Sequence, residues 1–221
     1  MVFFKKLFRR PKKSLKKKFE ERGIKFKHDD ILVPSMDLRD RNLKTYLTIF
    51  NLAEEDLIGK KVLDVGTGVG NFVYEARKKG INAIGIDPAI GDQTSFLKRI
   101  TAQEINYNKE FDIIFSCVSI PSYLKTAHNT RLSIFNMVNA LKVNGQLLIF
   151  PVDIFTSKKS GLQIYRVATQ TWPFRALNLN TLMKKLKKCG FRCEENNRVL
   201  QIKRTKFSNI KKLQELLGLA D

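Results

Sequence analysis

Residues 62–72 read Val62-Leu63-Asp64-Val65-Gly66-Thr67-Gly68-Val69-Gly70-Asn71-Phe72, and residues 84–88 read Ile84-Gly85-Ile86-Asp87-Pro88. Each stretch is an apolar run with an acid near its end, and the first continues into three alternating glycines before a helical segment. Glycines let a backbone turn tightly and approach a ligand, and an acid after the second strand accepts hydrogen bonds from ribose hydroxyls. The pattern predicts a nucleoside-binding edge on a parallel sheet.

The spacing of the glycines indicates which nucleoside is bound. A dinucleotide-binding turn carries its third glycine or alanine one residue later, where this chain has Asn71. The turn at residues 66–70, with Asp64 two residues upstream of its first glycine, instead resembles motif I of the class I S-adenosylmethionine-dependent methyltransferases. The resemblance implies S-adenosylmethionine as the cofactor, with Asp87 at its ribose. A dinucleotide oxidoreductase is the alternative, and it conflicts with Asn71.

Three further segments resemble the same family, so the match runs from about residue 60 to residue 204. Residues 111–116 resemble the fourth strand, and residues 140–150 resemble a helix end, a tight turn and the fifth strand. Asn144 stands in that turn, where asparagine tolerates a positive φ. Residues 179–193 resemble the last helix and the sixth strand. The resemblance implies an α/β fold, a Rossmann-like three-layer αβα sandwich with a seven-stranded, mostly parallel sheet and one antiparallel strand near the C-terminal end.

The resemblance also implies a donor site, residue by residue. Asp64 and the glycine turn would hold the methionine portion of the donor, and Asp87 would hold its ribose. Thr101 stands where the family often has an acid that accepts from the adenine amino group, and Ser116 would lie near the reactive methyl. The implied cofactor-binding residues are Asp64, Gly66, Thr67, Gly68, Gly70, Asp87, Pro88, Thr101, Ala102, Ser116 and Cys117.

The methyl acceptor and the catalytic group are not readable from the sequence. Methyl transfer from a sulfonium is an in-line displacement with an activated donor, so the protein mainly supplies alignment and excludes water. Tyr123 and His128, in and after the loop beyond strand four, are the two candidate catalytic residues. Residues 118–123 keep only the proline and the aromatic of the motif with which nucleic-acid amino-methyltransferases hold a base. Cys117 lacks the proline that accompanies thiolate chemistry on cytosine, which favours a buried apolar role.

Apolar periodicity and turn residues predict the elements of the chain. The predicted helices cover residues 37–51, 70–79, 94–99, 129–142, 180–188 and 207–220, and the predicted strands cover residues 61–65, 82–87, 102–106, 112–117, 146–152, 191–196 and 198–204. The first helix, capped by Asp37, should bury Leu43, Tyr46, Leu47 and Phe50, and helix 129–142 should bury Leu132, Phe135, Val138 and Leu141. An insertion after strand five carries Tyr165, Arg166, Trp172, Phe174 and Arg175, either as an acceptor lid or as a seal on the sheet edge. The short turn at residues 196–197 makes the last two strands antiparallel.

Length and composition predict one globular domain with a basic extension. The 221 residues divide into a basic tail and approach segment (1–36), a methyltransferase domain (37–206) and a terminal amphipathic helix (207–221). Three cysteines without metal-type spacing indicate neither a disulfide framework nor a zinc site, which favours a reducing, cytoplasmic location. No apolar run approaches the roughly 20 residues of a membrane-spanning helix.

The net charge of +20 is unevenly distributed along the chain. Residues 1–18 hold nine of the 41 basic residues and no acid, which leaves 32 basic against 21 acidic residues, or +11, elsewhere. The tail would therefore be attracted to RNA or to an anionic membrane surface, with Phe3, Phe4, Leu7 and Phe8 as apolar anchors. The alternative is that the lysines only reflect an AT-rich coding sequence. The acceptor is a small molecule or RNA on this interpretation, and a catalytically silent, donor-binding scaffold is a third hypothesis.

Overall fold

A computed structural model describes residues 41–120, 124, 126–150 and 179–219. Three features predicted from the sequence lie outside these residues. They are the basic tail with the Asp37 cap, the candidate catalytic residue Tyr123, and the aromatic and basic insertion after strand five.

One mixed sheet organises the described residues. Its strands are Lys61–Val65 (β1), Asn82–Ile86 (β2), Leu97–Lys98 (β3), Phe111–Cys117 (β4), Leu141–Phe150 (β5), Arg192–Asn196 (β6) and Val199–Lys203 (β7). The strand order is β3-β2-β1-β4-β5-β7-β6, with β7 antiparallel to β5 and β6 and the other pairs parallel. The predicted seven-stranded sheet with one antiparallel strand is confirmed.

Helices cover both faces of the sheet in the described part of the chain. They are Leu43–Phe50 (α1), Asn71–Lys78 (α2), Ala127–Ala140 (α3), Leu179–Lys188 (α4) and Ile210–Leu216 (α5), with a short 3₁₀ helix at Ala102–Glu104. Residues of α1 and α2 pack into one apolar cluster, and residues of α3, α4 and α5 pack into a second. Strands β1 and β4 contribute to both clusters because their side chains alternate between the two faces. The result is the predicted three-layer αβα sandwich.

Helix α1 begins later than the sequence predicts. Asn42 is its N-cap and accepts from the backbone N–H of Thr45 at 2.9 Å, and Asn51 ends it in the left-handed region at φ 51°. The predicted continuous helix from residue 37 is therefore wrong, because residues 41 and 42 are not helical. The predicted buried face is confirmed for Leu43, Tyr46 and Phe50, and Leu47 is half-buried.

The segment between β2 and β4 also differs from prediction. The helix expected at residues 94–99 and the strand expected at residues 102–106 are wrong, since β3 lies at 97–98 and residues 102–104 form the 3₁₀ helix. Thr101 caps that helix, and its backbone N–H and its hydroxyl both donate to Glu104 Oε2 at 2.7 Å. This Thr-x-x-Glu capping box starts a helical turn where the apolar pattern alone suggested a strand.

Helix α3 ends before the predicted last residue, and the set of its side chains that face the core differs from the predicted set. Thr126 caps its start, and β5 begins at Leu141, which was expected inside the helix. Leu132 and Phe135 are only half-buried. The buried residues of α3 are Thr130, Ser133, Ile134, Met137, Val138 and Ala140. Arg204 fixes this end, because its Nη1 donates to the carbonyl oxygens of Asn139 and Leu141 at 2.9 and 2.8 Å.

The C-terminal helix is shorter than the sequence predicts. Helix α5 covers residues 210–216 instead of 207–220, and Leu213 and Leu217 are its buried contacts with the core. Phe207, expected on the apolar face of that helix, precedes it and is 76% exposed. The turn between β6 and β7 places Asn197 and Arg198 at φ 48° and 66°, which suits a tight hairpin.

Removal of one aromatic ring from the core tests the packing of this fold. Phe115 is fully buried, and its ring centroid lies 4.8 Å from that of Phe50 and 5.4 Å from those of Tyr46 and Phe72. We expect Phe115→Ala to lower the free energy of unfolding by about 3–5 kcal/mol, measured by urea denaturation, because it leaves a cavity between packed rings. Phe207→Ala makes the same substitution at an exposed site and should change stability little; equal losses would contradict this packing.

Candidate donor-binding site

The glycine turn that follows β1 is bound to the end of β2. The backbone N–H groups of Gly66 and Thr67 both donate to the carbonyl oxygen of Ile86, at 2.8 and 3.0 Å. Gly70 N–H donates back to the Thr67 carbonyl at 3.1 Å and stands as the N-cap of α2. The turn is therefore fixed at the carboxyl ends of two adjacent parallel strands, which is where open α/β sheets bind ligands.

Gly66 is required by a close contact with the loop after β4. Its φ is 74°, and the Ser119 side chain occupies the space that a Cβ at position 66 would need. A side chain at this position would be strained by the backbone and blocked by Ser119. The loops that leave β1 and β4 consequently touch each other at the carboxyl edge of the sheet.

Asp87 is held in place by the two loops beside it. Its Oδ2 accepts from Gly68 N–H at 2.9 Å, and its Oδ1 accepts from Ala89 N–H at 2.8 Å. Burial raises the pKa of this carboxyl, while the two backbone donors and the charge of Arg41 oppose that rise. A carboxylate oxygen has two lone-pair sites, so each oxygen keeps acceptor capacity after these bonds form. Pro88 beside it is exposed.

Asp64 lies at the floor of the turn within a buried polar network. Tyr46 Oη donates to Asp64 Oδ1 at 2.9 Å and accepts from Arg41 Nη2 at 2.7 Å, and Arg41 Nη2 lies 4.0 Å from Asp64 Oδ1. Burial raises the pKa of the Asp64 carboxyl, and the charge of Arg41 acts against that shift. An isolated buried carboxylate is costly, so the Arg41 charge and the Tyr46 hydroxyl are what make this position tolerable.

Three buried side-chain atoms here have no hydrogen bond of full geometry among the described residues, namely Arg41 Nε, Asp64 Oδ2 and Thr67 Oγ1. The Thr67 hydroxyl is nonetheless near enough to the Asp64 carboxyl to act against the rise of its pKa. Buried polar atoms are nearly always paired in native proteins, so atoms that are not paired indicate a missing ligand or water. Sequence reasoning missed Arg41 and assigned Tyr46 only to packing. The available signal was a tyrosine on an otherwise apolar helix face that packs on the strand carrying Asp64.

The end of β4 forms a strained, closed turn. Ser116 Oγ donates to the carbonyl of Ile120 at 3.2 Å and accepts from the N–H of Ile120 at 3.1 Å. Between them Val118, a β-branched residue, has φ 49°, and its N–H donates to the Phe150 carbonyl at 2.6 Å. Such a conformation is unfavourable for valine and persists only where surrounding contacts enforce it, typically at ligand sites. Ser116 thus shapes the loop beside the glycine turn.

Cys117 is buried and chemically inert. Burial raises the pKa of its thiol to about 12, although the charge of Arg41 opposes the rise. The thiol is therefore neutral near pH 7 and unsuited to act as a nucleophile, in agreement with the predicted apolar role. All three cysteines of the chain are free and buried.

Within residues 41–120, 124, 126–150 and 179–219, no group of three metal-ligating side chains converges, and no helix is long and apolar enough to cross a membrane.

The remaining predicted site residues are placed as follows. Thr101 is engaged in the capping box, and Ala102 is buried beside α3, where Asn136 Nδ2 donates to its carbonyl at 3.3 Å. Their contact with adenine stays a prediction. His128 is exposed in the first turn of α3, and Tyr123 lies outside the described residues. Among the residues that the structure describes, it therefore brings together Asp64, the glycine turn, Asp87 and the loop after β4.

A sheet of this order, with a glycine turn after β1 and an acid after β2, is the architecture of the class I S-adenosylmethionine-dependent methyltransferases. Residues 37–196 match the family described as methyltransferase domain. The match covers most of the chain, which therefore belongs to this family.

Solved structures with the same fold have low sequence identity to this chain. The N-methyltransferase NodS from Bradyrhizobium japonicum WM9, in complex with S-adenosyl-L-homocysteine, is 15% identical with a TM-score of 0.54, over 85% of this chain and 97% of that chain. Magnesium protoporphyrin IX methyltransferase from Synechocystis PCC 6803, with the same compound bound, is 17% identical with a TM-score of 0.52, over 87% and 95% of the two chains.

One curated relative shares a short, more similar segment. An uncharacterised protein of Methanocaldococcus jannaschii is 46% identical over 50 residues, which is 23% of this chain and 22% of that protein. The chain thus matches about a fifth of the length of this relative.

Removal of the Tyr46 hydroxyl tests the buried network. We expect Tyr46→Phe to lower the free energy of unfolding by about 1–3 kcal/mol, because Asp64 Oδ1 and Arg41 Nη2 each lose a partner while buried. The phenyl ring keeps its stack on Phe72, whose centroid is 4.3 Å away, so packing is preserved. Urea denaturation measures the change, with Tyr74→Phe at a 43% exposed site as the matched control. A loss no larger than that of the control would refute the network.

Thiol reactivity tests the burial of the three cysteines. At pH 8 the native protein should react slowly with an aromatic disulfide reagent, since all three thiols are buried and burial raises the pKa of Cys117 and Cys193 to about 12. The same chain in denaturant should release three equivalents at once. The inert role of Cys117 would be contradicted if one thiol of the native protein reacted rapidly and this rapid reaction were absent from the Cys117→Ala variant.

Proposed function

We propose that this protein is an S-adenosylmethionine-dependent methyltransferase that binds its donor at the carboxyl ends of β1, β2 and β4. The observation that carries the proposal is the geometry of Asp87. Gly68 N–H and Ala89 N–H orient its two oxygens and leave both able to accept further hydrogen bonds. A pair of vicinal ribose hydroxyls presents two such donors side by side. The S-adenosyl-L-homocysteine in the two related structures supports the same choice of cofactor.

The buried network supplies groups for the amino-acid end of the donor. That end carries an ammonium and a carboxylate, which require an acceptor and a donor of opposite charge. Asp64 Oδ2 and Arg41 Nε are buried atoms without a full hydrogen bond among the described residues, and the Thr67 hydroxyl beside Asp64 is another. We assign Asp64 to the ammonium group and Arg41 to the carboxylate. Charge-assisted hydrogen bonds of this kind are the stronger ones in proteins.

The residues of this chain act mainly by positioning the donor and the acceptor. When bound, S-adenosylmethionine would supply an activated methyl group for a lone pair of the acceptor, and the electron pair of the broken carbon–sulfur bond would stay on sulfur. Gly66, Ser119 and the strained turn at Val118 hold two loops together at that edge, so the acceptor meets a preorganised surface. The Cys117 thiol lies beneath this surface in its neutral form. The acceptor is a small molecule or an RNA, and the free buried cysteines suit a cytoplasmic enzyme.

Replacement of Asp87 tests the donor site. We expect Asp87→Ala to weaken S-adenosylmethionine binding at least tenfold by calorimetry, because two charge-assisted acceptors are lost, each bond contributing about 1.5–3 kcal/mol. Asp92→Ala removes an exposed acid five residues further along the same loop and should leave binding unchanged. Thermal unfolding of both variants checks that the fold survives. Unchanged affinity in a folded Asp87→Ala variant would refute the placement of the ribose.

A transfer assay tests the activity itself. Protein incubated with methyl-labelled donor and fractionated lysate should deposit label in RNA or in small metabolites, whereas the protein and lipid fractions should stay unlabelled. An Asp87→Ala sample is the control for label that other enzymes transfer. Donor binding without any transfer would instead favour a catalytically silent scaffold.

A further inference from the structure

Positive charge is concentrated in the C-terminal part of the described fold. Residues 179–219 contain eleven basic and three acidic residues, a net charge of +8. Residues 41–150 contain thirteen basic and ten acidic residues, a net charge of +3 over a far longer stretch. A composition rich in lysine throughout does not account for this contrast. The excess belongs to one end of the sheet, in addition to the basic tail at residues 1–18.

Several of these charges lie on either side of one rigid turn. Thr205 Oγ1 and Ser208 Oγ donate to the carbonyl of Gly190 at 2.7 and 3.2 Å, and Asn209 N–H donates to the carbonyl of Cys189 at 2.8 Å. The turn at residues 205–208 is thereby fastened to the end of α4. Gly190 has φ 83°, and a Cβ there would lie 2.5 Å from the Phe207 carbonyl oxygen, so only glycine permits the contact.

This turn presents an aromatic ring to solvent. Phe207 is 76% exposed, and no other large apolar side chain in residues 180–219 is strongly exposed. Lys206 Nζ lies 5.1 Å from its ring centroid. We call the following exposed residues the lysine surface: Lys187, Lys188, Lys206, Phe207, Lys211 and Lys212. Among the residues that the structure describes, no salt bridge neutralises any of its lysines.

The neighbouring hairpin contributes a further unfavourable arrangement of charge. Arg192 and Lys203 face each other directly across the β6–β7 pair, and both are exposed. Like charges at opposed positions of an antiparallel pair destabilise a sheet. Folding alone gives no reason for this pair or for an aromatic ring held out by a tight turn. A polyanion that also presents flat rings would make both favourable.

We propose that the lysine surface binds single-stranded nucleic acid, with Phe207 stacking on a base and the lysines contacting phosphates. Single-strand sites combine a positive track with aromatic side chains on which bases stack, and each stack contributes without regard to sequence. Binding of a helix at a membrane surface grows with the apolar area that it buries as well as with its charge. The lysine surface carries a single aromatic ring, Phe207, which can stack on one nucleic-acid base. This site goes beyond the proposed methyl transfer and does not depend on it.

Fluorescence anisotropy of the full chain with a labelled oligouridylate tests the proposal, the oligomer being longer than the about 4–16 nucleotides that one such site spans. Phe207→Ala should weaken binding about tenfold, because one stacked base is lost. Lys187→Gln/Lys188→Gln should weaken binding and reduce the slope of log affinity against log salt by about 1.4, at about 0.7 for each phosphate contact. Oligodeoxythymidylate measures whether the 2′-hydroxyl contributes.

Matched controls separate the lysine surface from net charge and from other exposed rings. Tyr74→Ala removes an aromatic ring that is 43% exposed on α2, and Lys60→Gln/Lys78→Gln removes two exposed lysines elsewhere. Both should leave affinity and salt slope close to those of the unaltered chain. The proposal is overturned if these controls weaken binding as much as the test variants, or if the test variants bind normally. It is also overturned if phosphatidylserine vesicles bind through Phe207 and the oligonucleotide does not.

Donor calorimetry on the same samples keeps the two proposals apart. The variants of the lysine surface should bind S-adenosylmethionine as the unaltered chain does, since none of these residues lies at the glycine turn. Loss of oligonucleotide binding with donor binding retained supports a separate surface. Oligonucleotide binding by a chain that fails to bind the donor would refute the methyltransferase assignment and leave the lysine surface standing.

Discussion

The hydroxyl of Tyr46 holds together the two buried charges beneath the glycine turn. It bridges Arg41 and Asp64 at 2.7 and 2.9 Å, in a place where neither charge reaches water. The ring of Tyr46 stacks on Phe72 and meets Phe50 and Phe115 edge-on, so that one residue joins the aromatic core to the buried polar network. Charge compensation and apolar packing therefore depend on each other here. The glycine turn rests directly on this arrangement.

The loops that follow β1 and β4 are shaped by steric and backbone constraints. Gly66 admits Ser119, Ser116 closes the turn after β4, and Val118 is held in a conformation that valine disfavours. If the proposed donor binds at this edge, little free energy would be lost in rearranging the two loops. The same rigidity characterises the turn that exposes Phe207, at the other end of the sheet.

Much of the fold was predictable from the sequence because it follows from long apolar runs. Strand β1 and the antiparallel β7 hairpin were placed almost to the residue, since buried parallel strands and tight turns leave strong local patterns. Short elements were mistaken where a local hydrogen bond outweighed the pattern, as at Thr101 and Glu104. The predicted stripe of α3 was right for Val138 and wrong for Leu132 and Phe135, which are half-buried. The end of that helix was misplaced because it is bound by Arg204, 65 residues from Asn139. Asp64, the glycines and Asp87 came from the motif, whereas Arg41 could not, because the carboxyl whose charge it compensates, Asp64, lies on another element.

The contact between Gly66 and Ser119 restricts which substitutions this chain can accept during evolution. One position belongs to the glycine turn after β1, and the other belongs to the loop after β4. Because the Ser119 side chain already fills the space that a Cβ at position 66 would need, any side chain acquired at position 66 would displace the base of the neighbouring loop. Segments that do not rest against this glycine are free of that constraint.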